Sequence, residues 1–458
     1  MASAEGTSVV CAFQLASVIR ARAWGSSAAL FKCRAVTMRA AHAGVFSASP
    51  SLRRRRHTYP DSFGGTRSRT RRGASHLPSF ADTRASMFAS ATLARVAASA
   101  PTARHGARVS VPRRGASLGT RRIVSSRAVR AAAGASDGDK VCVITGSNTG
   151  LGYISALEIA KMPGHRVVMA VRDPAKGADA ASRIARDAGA DVHVDVMPCD
   201  LASLESVRAF ADAFAEKYDR CDILMNNAGV MALPDRALTL DGIEMQMGTN
   251  HAGHFLLTDL MMPSILRAPG RPRVVNLSSV AHEWGHVDFD NIQSEGPFGY
   301  PLSGWLTYGR TKLANLYFTY ELHRRLRASR DPDCARVDVN AVHPGIVDTE
   351  LPRSLSLNFY PALRQSGGLI TPEEGARGQI EVATGAAFEG VSGKYVAEQS
   401  GPSGRRGARK GTFEVAESSR WSYDADAAAR FWKRSKALTG AEWKTLGEEG
   451  VSKDFVYL

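Results

Sequence analysis

The stretch Lys140–Gly152, KVCVITGSNTGLG, decides the fold of this chain. Its first half is an apolar run rich in β-branched residues, which predicts a buried parallel strand. Glycines follow, and then LGYISALEIAK carries apolar side chains at helical spacing. A strand, a glycine turn and a helix can bind a pyrophosphate, because glycine lets the backbone approach the anion and the helix N-terminus presents unpaired N–H groups. The T-G-x-x-x-G-x-G spacing therefore indicates a nucleotide site, the alternative being an ordinary strand-to-helix turn.

Charge is divided unevenly between two parts of the chain. Of 458 residues, 59 are Lys or Arg and 44 are Asp or Glu. Residues 1–130 hold 22 arginines and one lysine against three acidic residues, so the remainder carries more acids than bases. The net positive charge belongs to the N-terminal segment, and it does not indicate that the folded part binds nucleic acid.

Residues 1–135 have the composition of an organellar transit peptide, rich in Arg, Ser and Ala and poor in acids. We predict a disordered basic leader that is processed near 129–134. A second transit-like segment begins at Met87, so a start at Met1 or at Met87 remains open. The Ser/Ala-rich composition favours the chloroplast, in the stroma or at the envelope, over the mitochondrion. A basic arm that binds nucleic acid or membrane is the alternative.

Residues 136–445 are predicted to form one α/β domain. Strand patterns occur at 140–145, 165–173, 191–200, 221–229, 272–279, 337–345 and 393–396. Helical patterns alternate with them, which predicts a doubly wound parallel sheet, the Rossmann fold. The cysteines of this part show no metal-ligand spacing, so no metal site is expected. No apolar run reaches the ~18 residues of a membrane helix, and peripheral membrane contact remains open.

The choice of cofactor is predicted at the end of the second strand. There a carboxylate about 20 residues beyond the glycines binds the ribose of NAD, whereas an arginine accommodates the 2′-phosphate of NADP. Arg172 occupies this position, and Asp173 is expected to face away from it because side chains alternate along a strand. A guanidinium can pair with a phosphate through two hydrogen bonds. We therefore predict NADP(H), the alternative being an ordinary surface arginine.

Tyr308 and Lys312 place a phenol and an ammonium on one face of a predicted helix, 304–328. A free tyrosine ionises near pH ~10, too high for efficient acid–base catalysis at neutral pH. A nearby lysine cation favours the phenolate and lowers that pKa. The pair follows a strand that ends in Ser278-Ser279. An amphipathic helix face is the alternative interpretation, because helices contain such pairs by chance.

The region 139–345 resembles the short-chain dehydrogenase/reductases. The matching motifs are TGSNTGLG (145–152), NNAG (226–229), Ser278-Ser279, the Tyr308/Lys312 pair and His343-Pro344-Gly345. The longer stretches GTNHAGHFLLT (248–258) and VVNLSSVAHEWG (274–285) are similar to the retinol-dehydrogenase-like and plastid-envelope members of the family.

This resemblance implies a role for each matched residue. Tyr308 would protonate the substrate carbonyl, Lys312 would bind the nicotinamide ribose and lower the tyrosine pKa, and Ser279 would hydrogen-bond the substrate oxygen. Asn250 would help to hold a water-linked proton relay with Lys312. His251 and His254 are expected to be packing residues. The other cofactor-binding residues would be Gly146, Ser147, Asn148, Gly150, Leu151, Gly152, Arg172, Asp200, Leu201, Asn227, Ala228, Gly229, Pro344, Gly345 and Thr349.

One departure from the compact members of the family is the 29-residue separation of Ser279 and Tyr308. The inserted sequence is expected to form part of the substrate wall. Together with the apolar content of 298–306 and 355–370, it suits a bulky apolar substrate that is retinoid-, apocarotenoid- or fatty-aldehyde-like. We predict an NADP-dependent oxidoreductase that acts on a carbonyl or alcohol, with homo-oligomerisation left open.

Two other functions remain open. Light-dependent protochlorophyllide reductase shares the glycine turn and the Tyr/Lys pair. That enzyme typically has Val-Cys-Asn after the lysine and carries pigment-site cysteines in this half of the chain. Here, however, Lys312 is followed by Leu-Ala-Asn, and no cysteine lies between Cys221 and Cys334. The second alternative is an NADPH-binding redox-sensing or scaffold protein of the plastid envelope, which would dock an acidic partner at the basic loop 400–413.

Overall fold

The computed structural model describes residues 138–189, 192–295, 300–348, 369–400 and 408–446, with side chains of 301–303 left out. Several predictions fall outside these residues. They concern the leader 1–135, the substrate segment 355–368, Thr349 and the part 401–407 of the basic loop.

Eight strands form one sheet in the described part of the chain. They are β1 (Lys140–Thr145), β2 (His165–Val171), β3 (His193–Pro198), β4 (Ile223–Asn226), β5 (Arg273–Leu277), β6 (Asp338–His343), β7 (Lys394–Glu398) and β8 (Phe413–Ala416). Their order is β3-β2-β1-β4-β5-β6-β7-β8, and every neighbouring pair is parallel except β7 and β8. The predicted doubly wound parallel sheet is confirmed.

Helices cover both faces of this sheet. They are α1 (Gly150–Ala160), α2 (Pro174–Ala188), α3 (Leu204–Lys217), α4 (Gly253–Leu266), α5 (Tyr300–Ala328), α6 (Pro372–Thr384) and α7 (Ala425–Thr439). A helical turn, Met245–Met247, and a π-helical segment, Gly248–Ala252, run directly into α4.

Most observed strands are shorter than the predicted patterns; β4, for example, spans 223–226 where 221–229 was predicted. Three further differences occur. Apolar spacing predicts one long helix over 241–266, which in the structure begins at Met245 and contains the π-helical segment. Helix α5 begins at Tyr300, four residues before the predicted start, because part of the long insertion is helical. Strand β8 was not predicted. Its four residues pair antiparallel with β7 at the edge of the sheet.

The side chains on the two faces of each central strand pack in two separate hydrophobic cores. Val143 packs with the side chains of α3 and α4, whereas the next residue, Ile144, packs with those of α1 and α6. Both side chains are fully buried. Because successive side chains point to opposite faces, a parallel sheet between two helical layers needs apolar residues at every position. The continuous apolar run of β1 meets this need.

Aromatic side chains join α4, α5 and α7 on one side of the sheet. The ring of Phe255 lies 5.3 Å from that of Phe318, 4.9 Å from Trp432 and 5.2 Å from Trp443. All four side chains are buried. Helix α7 is capped at its C-terminus by Gly440, whose φ of 65° is left-handed, a conformation that glycine adopts without strain.

The four described cysteines are buried and unpaired. Burial raises the pKa of each thiol, that of Cys199 to about 12. Across the described ranges, no helix has the length and apolar character needed to cross a bilayer. The same ranges contain no group of three or more His, Cys, Asp or Glu side chains that is arranged to hold a metal ion.

We expect Phe255→Ala to lower the free energy of unfolding by about 3–5 kcal/mol, because it leaves a cavity among three other rings. Urea unfolding followed by circular dichroism measures the change. Leu240→Ala is the matched control, because Leu240 is 85% exposed, and its effect should stay within about 0.5 kcal/mol. Equal effects for the two variants would contradict this account of the core.

Candidate active site

A cavity of about 570 Å³ lies at the carboxyl ends of the central strands. It extends from the glycine turn after β1 to the end of β6 and the middle of α5. Predicted site residues that line it are Gly146, Asn148, Gly150, Leu151, Gly152, Arg172, Asp200, Leu201, Asn227, Ala228, Gly229, Ser279, Tyr308, Lys312, Pro344 and Gly345. Residues that were predicted from separate motifs therefore meet in one place.

The glycine turn has the backbone geometry that its sequence predicts. Gly146 and Gly150 have φ angles of 64° and 58°, in the left-handed region that favours glycine. A Cβ atom on Gly152 would lie 2.4 Å from the Asn227 amide nitrogen and 2.5 Å from the Gly146 carbonyl oxygen. The first turn of α1 therefore packs directly on the strand ends, which leaves the space in front of its N-terminus open.

Two buried side chains hold this turn in place. The Thr145 hydroxyl oxygen accepts hydrogen bonds from the backbone N–H groups of Asn227 and Ala228, each at 3.0 Å. The Asn227 amide in turn donates to the Thr145 carbonyl at 2.8 Å and accepts from Gln379 at 3.2 Å. Gln379 also donates to the Ser155 hydroxyl of α1, at 2.6 Å. Asn227 thus braces the turn as well as lining the cavity.

The predicted site residue Ser147 does not line the cavity. Its buried hydroxyl donates to the Ile144 carbonyl at 2.9 Å.

Basic side chains line the cavity at the end of β2. Arg172 is exposed there, and Lys176 lies one turn into α2. Asp173 lines the cavity too, which corrects the expectation that it faces away. Its carboxylate, however, caps α2 by accepting from the N–H groups of Ala175 and Lys176 at 3.1 and 3.2 Å. These hydrogen bonds lower the pKa of Asp173 and occupy one of its oxygens.

The two serines after β5 have different partners. The Ser278 hydroxyl is buried and donates to the Lys312 carbonyl at 2.9 Å, which ties the strand to α5. The Ser279 hydroxyl accepts from the Ala281 N–H at 3.2 Å and makes a hydrogen bond with Tyr308. Ser279 is therefore the serine whose oxygen lies beside the phenol, and Ser278 is structural.

Tyr308 and Lys312 are both buried, with 7% and 4% of their surface exposed. Burial raises the pKa of Tyr308 to about 12, while its hydrogen bond with Ser279 acts in the opposite direction. Burial lowers the pKa of Lys312 to about 8. The Lys312 ammonium lies 5.4 Å from the centre of the tyrosine ring and donates to the Leu277 carbonyl at 3.2 Å. The pKa of Tyr308 is therefore raised, because burial outweighs the hydrogen bond with Ser279, and the net lowering that the sequence predicted is not observed.

Asn250 lies in the π-helical segment, a type of distortion that is frequent at functional sites. Its side-chain oxygen accepts from the Val230 N–H at 2.7 Å, and its amide donates to the Val230 carbonyl and the Thr311 hydroxyl. These bonds hold the segment after β4 against α5. The Asn250 carbonyl accepts from His254 at 3.1 Å if that ring nitrogen is protonated. The side chain therefore positions the cavity walls and has no direct contact with Lys312 among those described.

The end of β6 closes the cavity opposite the glycine turn. Gly345 has a φ of 87°, and an added Cβ would lie 2.7 Å from the Ile370 side chain. His343 lines the cavity and is buried, and burial lowers its pKa to about 3, so that the ring is neutral. Predicted site residue Thr349 lies outside the described residues.

Sequence reasoning missed several residues of this site. Lys176 is one helical turn beyond Arg172, so its spacing could have indicated it. Thr145 and Gln379 act through contacts between segments far apart in the chain, which no local pattern reveals. His251 and His254, expected to pack in the core, are buried and hydrogen-bonded to Ser435 and Thr145. Trp305 lines the cavity with its ring edge-on to Tyr308, at 6.3 Å.

Comparisons with known proteins point to one family. The family described as short chain dehydrogenase matches residues 140–290. Retinol dehydrogenase 13 of Homo sapiens is 37% identical over 320 residues, which are 69% of this chain and 88% of that protein. Retinol dehydrogenase 12 of Homo sapiens is 42% identical over 259 residues, 57% of this chain and 78% of that protein. A crystal structure of an uncharacterised protein from Mycobacterium paratuberculosis is 36% identical, with a TM-score of 0.52 over 66% of this chain and 94% of its own.

We expect Lys312→Met to stabilise the protein in the absence of added cofactor. The folded state lowers the lysine pKa from 10.5 to about 8, so burying the charge costs on the order of 3 kcal/mol below pH 8. That cost fades as pH rises from about 8 to about 10.5, because the folded protein then holds the lysine neutral and the free energy needed to deprotonate the unfolded lysine falls to zero at its own pKa. Thermal unfolding of both proteins across this range should show a gain in melting temperature at pH 7 that disappears near pH 10.5.

Lys433→Met on the exposed face of α7 is the control for the loss of a lysine. Its melting temperature should differ from that of the parent by the same amount at every pH. A gain for Lys312→Met that persisted unchanged at alkaline pH would mean that the buried charge is not its cause.

Proposed function

The chain belongs to the short-chain dehydrogenase/reductase family of oxidoreductases, in its retinol-dehydrogenase-like group, and we propose that it transfers a hydride between NADPH and the carbonyl or alcohol carbon of a bulky apolar substrate. The observation that carries this proposal is the meeting of Ser279, Tyr308 and Lys312 in the same cavity as the glycine turn. A proton donor and a phosphate-binding turn at opposite ends of one cavity suit the reduction of a carbonyl by a dinucleotide.

The glycine turn supports a dinucleotide on the evidence of its own geometry. Any side chain at Gly146, Gly150 or Gly152 would be strained or would collide with the backbone, so the turn keeps a bare surface at the N-terminus of α1. The backbone N–H groups of the turn and the positive end of α1 would bind a pyrophosphate. The bound nicotinamide would supply or accept the hydride, and the chain supplies the groups around it.

The preference for NADPH rests on two cations. Arg172 and Lys176 both line the cavity at the position where a 2′-phosphate would be bound. Asp173 is the carboxylate that would favour NAD there, but one of its oxygens accepts from the N–H groups of α2 and the other lies 3.5 Å from the Lys176 ammonium. A planar guanidinium matches a phosphate through paired hydrogen bonds, and the ammonium adds a point charge.

Tyr308 is the proton donor in this proposal. With its pKa raised to about 12, the phenol is protonated at neutral pH and is able to donate to a carbonyl oxygen that is becoming an alkoxide. Ser279 is close enough to hydrogen-bond the phenol, and it would orient the same substrate oxygen. Lys312 places a positive charge beside the ring, which stabilises the phenolate left after the proton is given.

The substrate class is proposed from the walls of the cavity beyond Tyr308. Val230, Met231, Val280, Trp284 and Trp305 line that end, and all of them are apolar or aromatic. Trp284 is 37% exposed at this end, and Leu306, beside Trp305 in the chain, is 46% exposed. An elongated apolar aldehyde or ketone, such as a retinoid, an apocarotenoid or a fatty aldehyde, suits these walls. The names of the human relatives support the retinoid as the first compound to test.

Location in the chloroplast, in the stroma or at the envelope, is proposed from the composition of residues 1–135 alone. Light-dependent reduction of protochlorophyllide is a second candidate reaction, because it would use the same tyrosine and lysine. A redox-sensing or scaffold role would leave cofactor binding intact without turnover. These alternatives are separated by assaying the protein in the dark and in the light.

We expect NADPH oxidation with all-trans-retinal to proceed in the dark and to fall by about 10²–10⁴-fold in Tyr308→Phe, because the proton donor is lost. The loss of NADPH absorbance measures the rate. Tyr317→Phe on the same helix is the control, since its hydroxyl donates to the Trp421 carbonyl away from the cavity. Turnover that required light would favour the protochlorophyllide reaction, and NADPH binding without turnover would favour the scaffold.

We expect Arg172→Ala to weaken NADPH binding by roughly 10- to 100-fold, the effect of losing a charged hydrogen bond, and to leave NADH binding within about two-fold. Fluorescence titration of each cofactor measures the dissociation constants. Arg186→Ala on the far end of α2 is the control, because the Arg186 side chain is 71% exposed and does not line the cavity. Equal losses for NADPH and NADH would contradict a 2′-phosphate contact.

A further inference from the structure

We propose that Gln246 holds the two walls of the substrate cleft at a fixed spacing and so selects the size of substrate that reaches Tyr308. This inference rests on the proposed function, and it concerns the end of the cavity beyond the phenol. Gln246 does not line the cavity. It lies behind it, in the helical turn Met245–Met247, with none of its surface exposed. It is therefore a positioning residue.

The Gln246 side chain joins two segments that are far apart in sequence. Its oxygen accepts from the Ala232 N–H at 2.7 Å. Its nitrogen donates to the Gly304 carbonyl at 2.9 Å and to the Tyr300 hydroxyl at 2.9 Å. Both amide protons and the amide oxygen are thus used, one on one wall and two on the other.

The first wall is the segment after β4. Val230 and Met231 line the cavity immediately before Ala232. Ala232 has a φ of 46°, in the left-handed region, which is strained for a residue that carries a Cβ atom. Such a conformation persists only where its surroundings hold it. The hydrogen bond from the Ala232 N–H to Gln246 is a restraint of this kind.

The second wall is the first turn of α5. Trp305 lines the cavity and follows Gly304, whose carbonyl accepts from Gln246. A Cβ on Gly304 would lie 2.7 Å from the Leu233 carbonyl oxygen, so the two walls touch behind the cleft. The Trp305 ring meets the ring of Tyr308 edge-on at 87°. Movement of this turn would therefore change the space beside the phenol.

Glu244 fixes Gln246 in turn. Its carboxylate is fully buried and accepts from the backbone N–H groups of Gln246 and Met247 at 3.1 and 2.7 Å. The Tyr300 hydroxyl donates to the same carboxylate. The Glu244 N–H donates to the Gln293 side chain at 2.7 Å, which connects the long insertion to this network. Gln246 is consequently held through hydrogen bonds of both its backbone N–H and its side-chain amide.

The cofactor end of the cavity has its own buried glutamine. Gln379 braces Asn227 and α1, as described above, and its hydrogen bonds within the described part of the chain go to Leu151, Ser155 and Asn227. The two glutamines therefore offer a paired test. Substitution of Gln246 should affect the use of retinal, and substitution of Gln379 should affect the binding of NADPH. A residue that only stabilised the fold would affect both ligands alike.

The experiment compares Gln246→Met with Gln379→Met in the full chain. In Gln246→Met we expect KM for all-trans-retinal to change by about ten-fold or more, the effect of three lost hydrogen bonds, with KM for propanal and the dissociation constant of NADPH within about two-fold. In Gln379→Met we expect the dissociation constant of NADPH to rise by about ten-fold, and the retinal KM at saturating NADPH to stay within about two-fold. An equal loss of kcat for retinal and propanal in Gln246→Met, with both KM values unchanged, would overturn the proposal.

Hydrogen–deuterium exchange followed by mass spectrometry tests the spacing without turnover. Gln246→Met should increase exchange of the backbone amides at 229–233 and at 300–306 together, whereas Gln379→Met should leave both segments unchanged. Unchanged exchange in Gln246→Met would refute the role of Gln246 whether or not the protein reduces retinal. Absent turnover of any carbonyl with increased exchange at both walls would refute the proposed function and leave the link between the walls established.

Discussion

Everything in this site depends on the place where β1 and β4 lie side by side. The chain order reverses direction there, so the connections after the two strands turn to opposite sides and leave a crevice between them. Thr145 closes the base of that crevice by accepting two backbone N–H groups of the segment after β4. Without Thr145 the half-buried Ala228 N–H would lose the partner described for it, whereas the Asn227 N–H would keep the Met225 carbonyl at 3.0 Å. The glycine turn and the catalytic residues are placed relative to this junction.

Local patterns predicted the parts of the fold that are governed by local physics. The apolar runs of β1 and β2 follow from residue type and period. Strand β8 was missed because a four-residue edge strand is stabilised by its partner β7 and has little pattern of its own. Arg172 and Tyr308 were predicted from spacing. Thr145, Gln246 and Gln379 were not, because their roles come from contacts across the fold.

The catalytic pair shows how an active site departs from the rules of a stable core. Tyr308 and Lys312 are buried where apolar residues would serve stability better, and burial disfavours the charged form of each. The surrounding structure compensates with a network that anchors α5 to the end of β5, through Ser278 and the Leu277 carbonyl. A rigid frame of this kind keeps the phenol and the ammonium in one arrangement despite the cost of desolvating them.

The burial of the cysteines has a consequence for how the protein responds to its surroundings. A thiol reacts with peroxide or with a disulfide only in its thiolate form. Raised pKa values keep the four described thiols in the inert, protonated form; they are Cys142, Cys199, Cys221 and Cys334. The folded domain therefore has no thiol, among those described, that is open to oxidation. Bursts of oxidant that switch other enzymes through reactive cysteines should leave these four thiols unmodified while the protein stays folded.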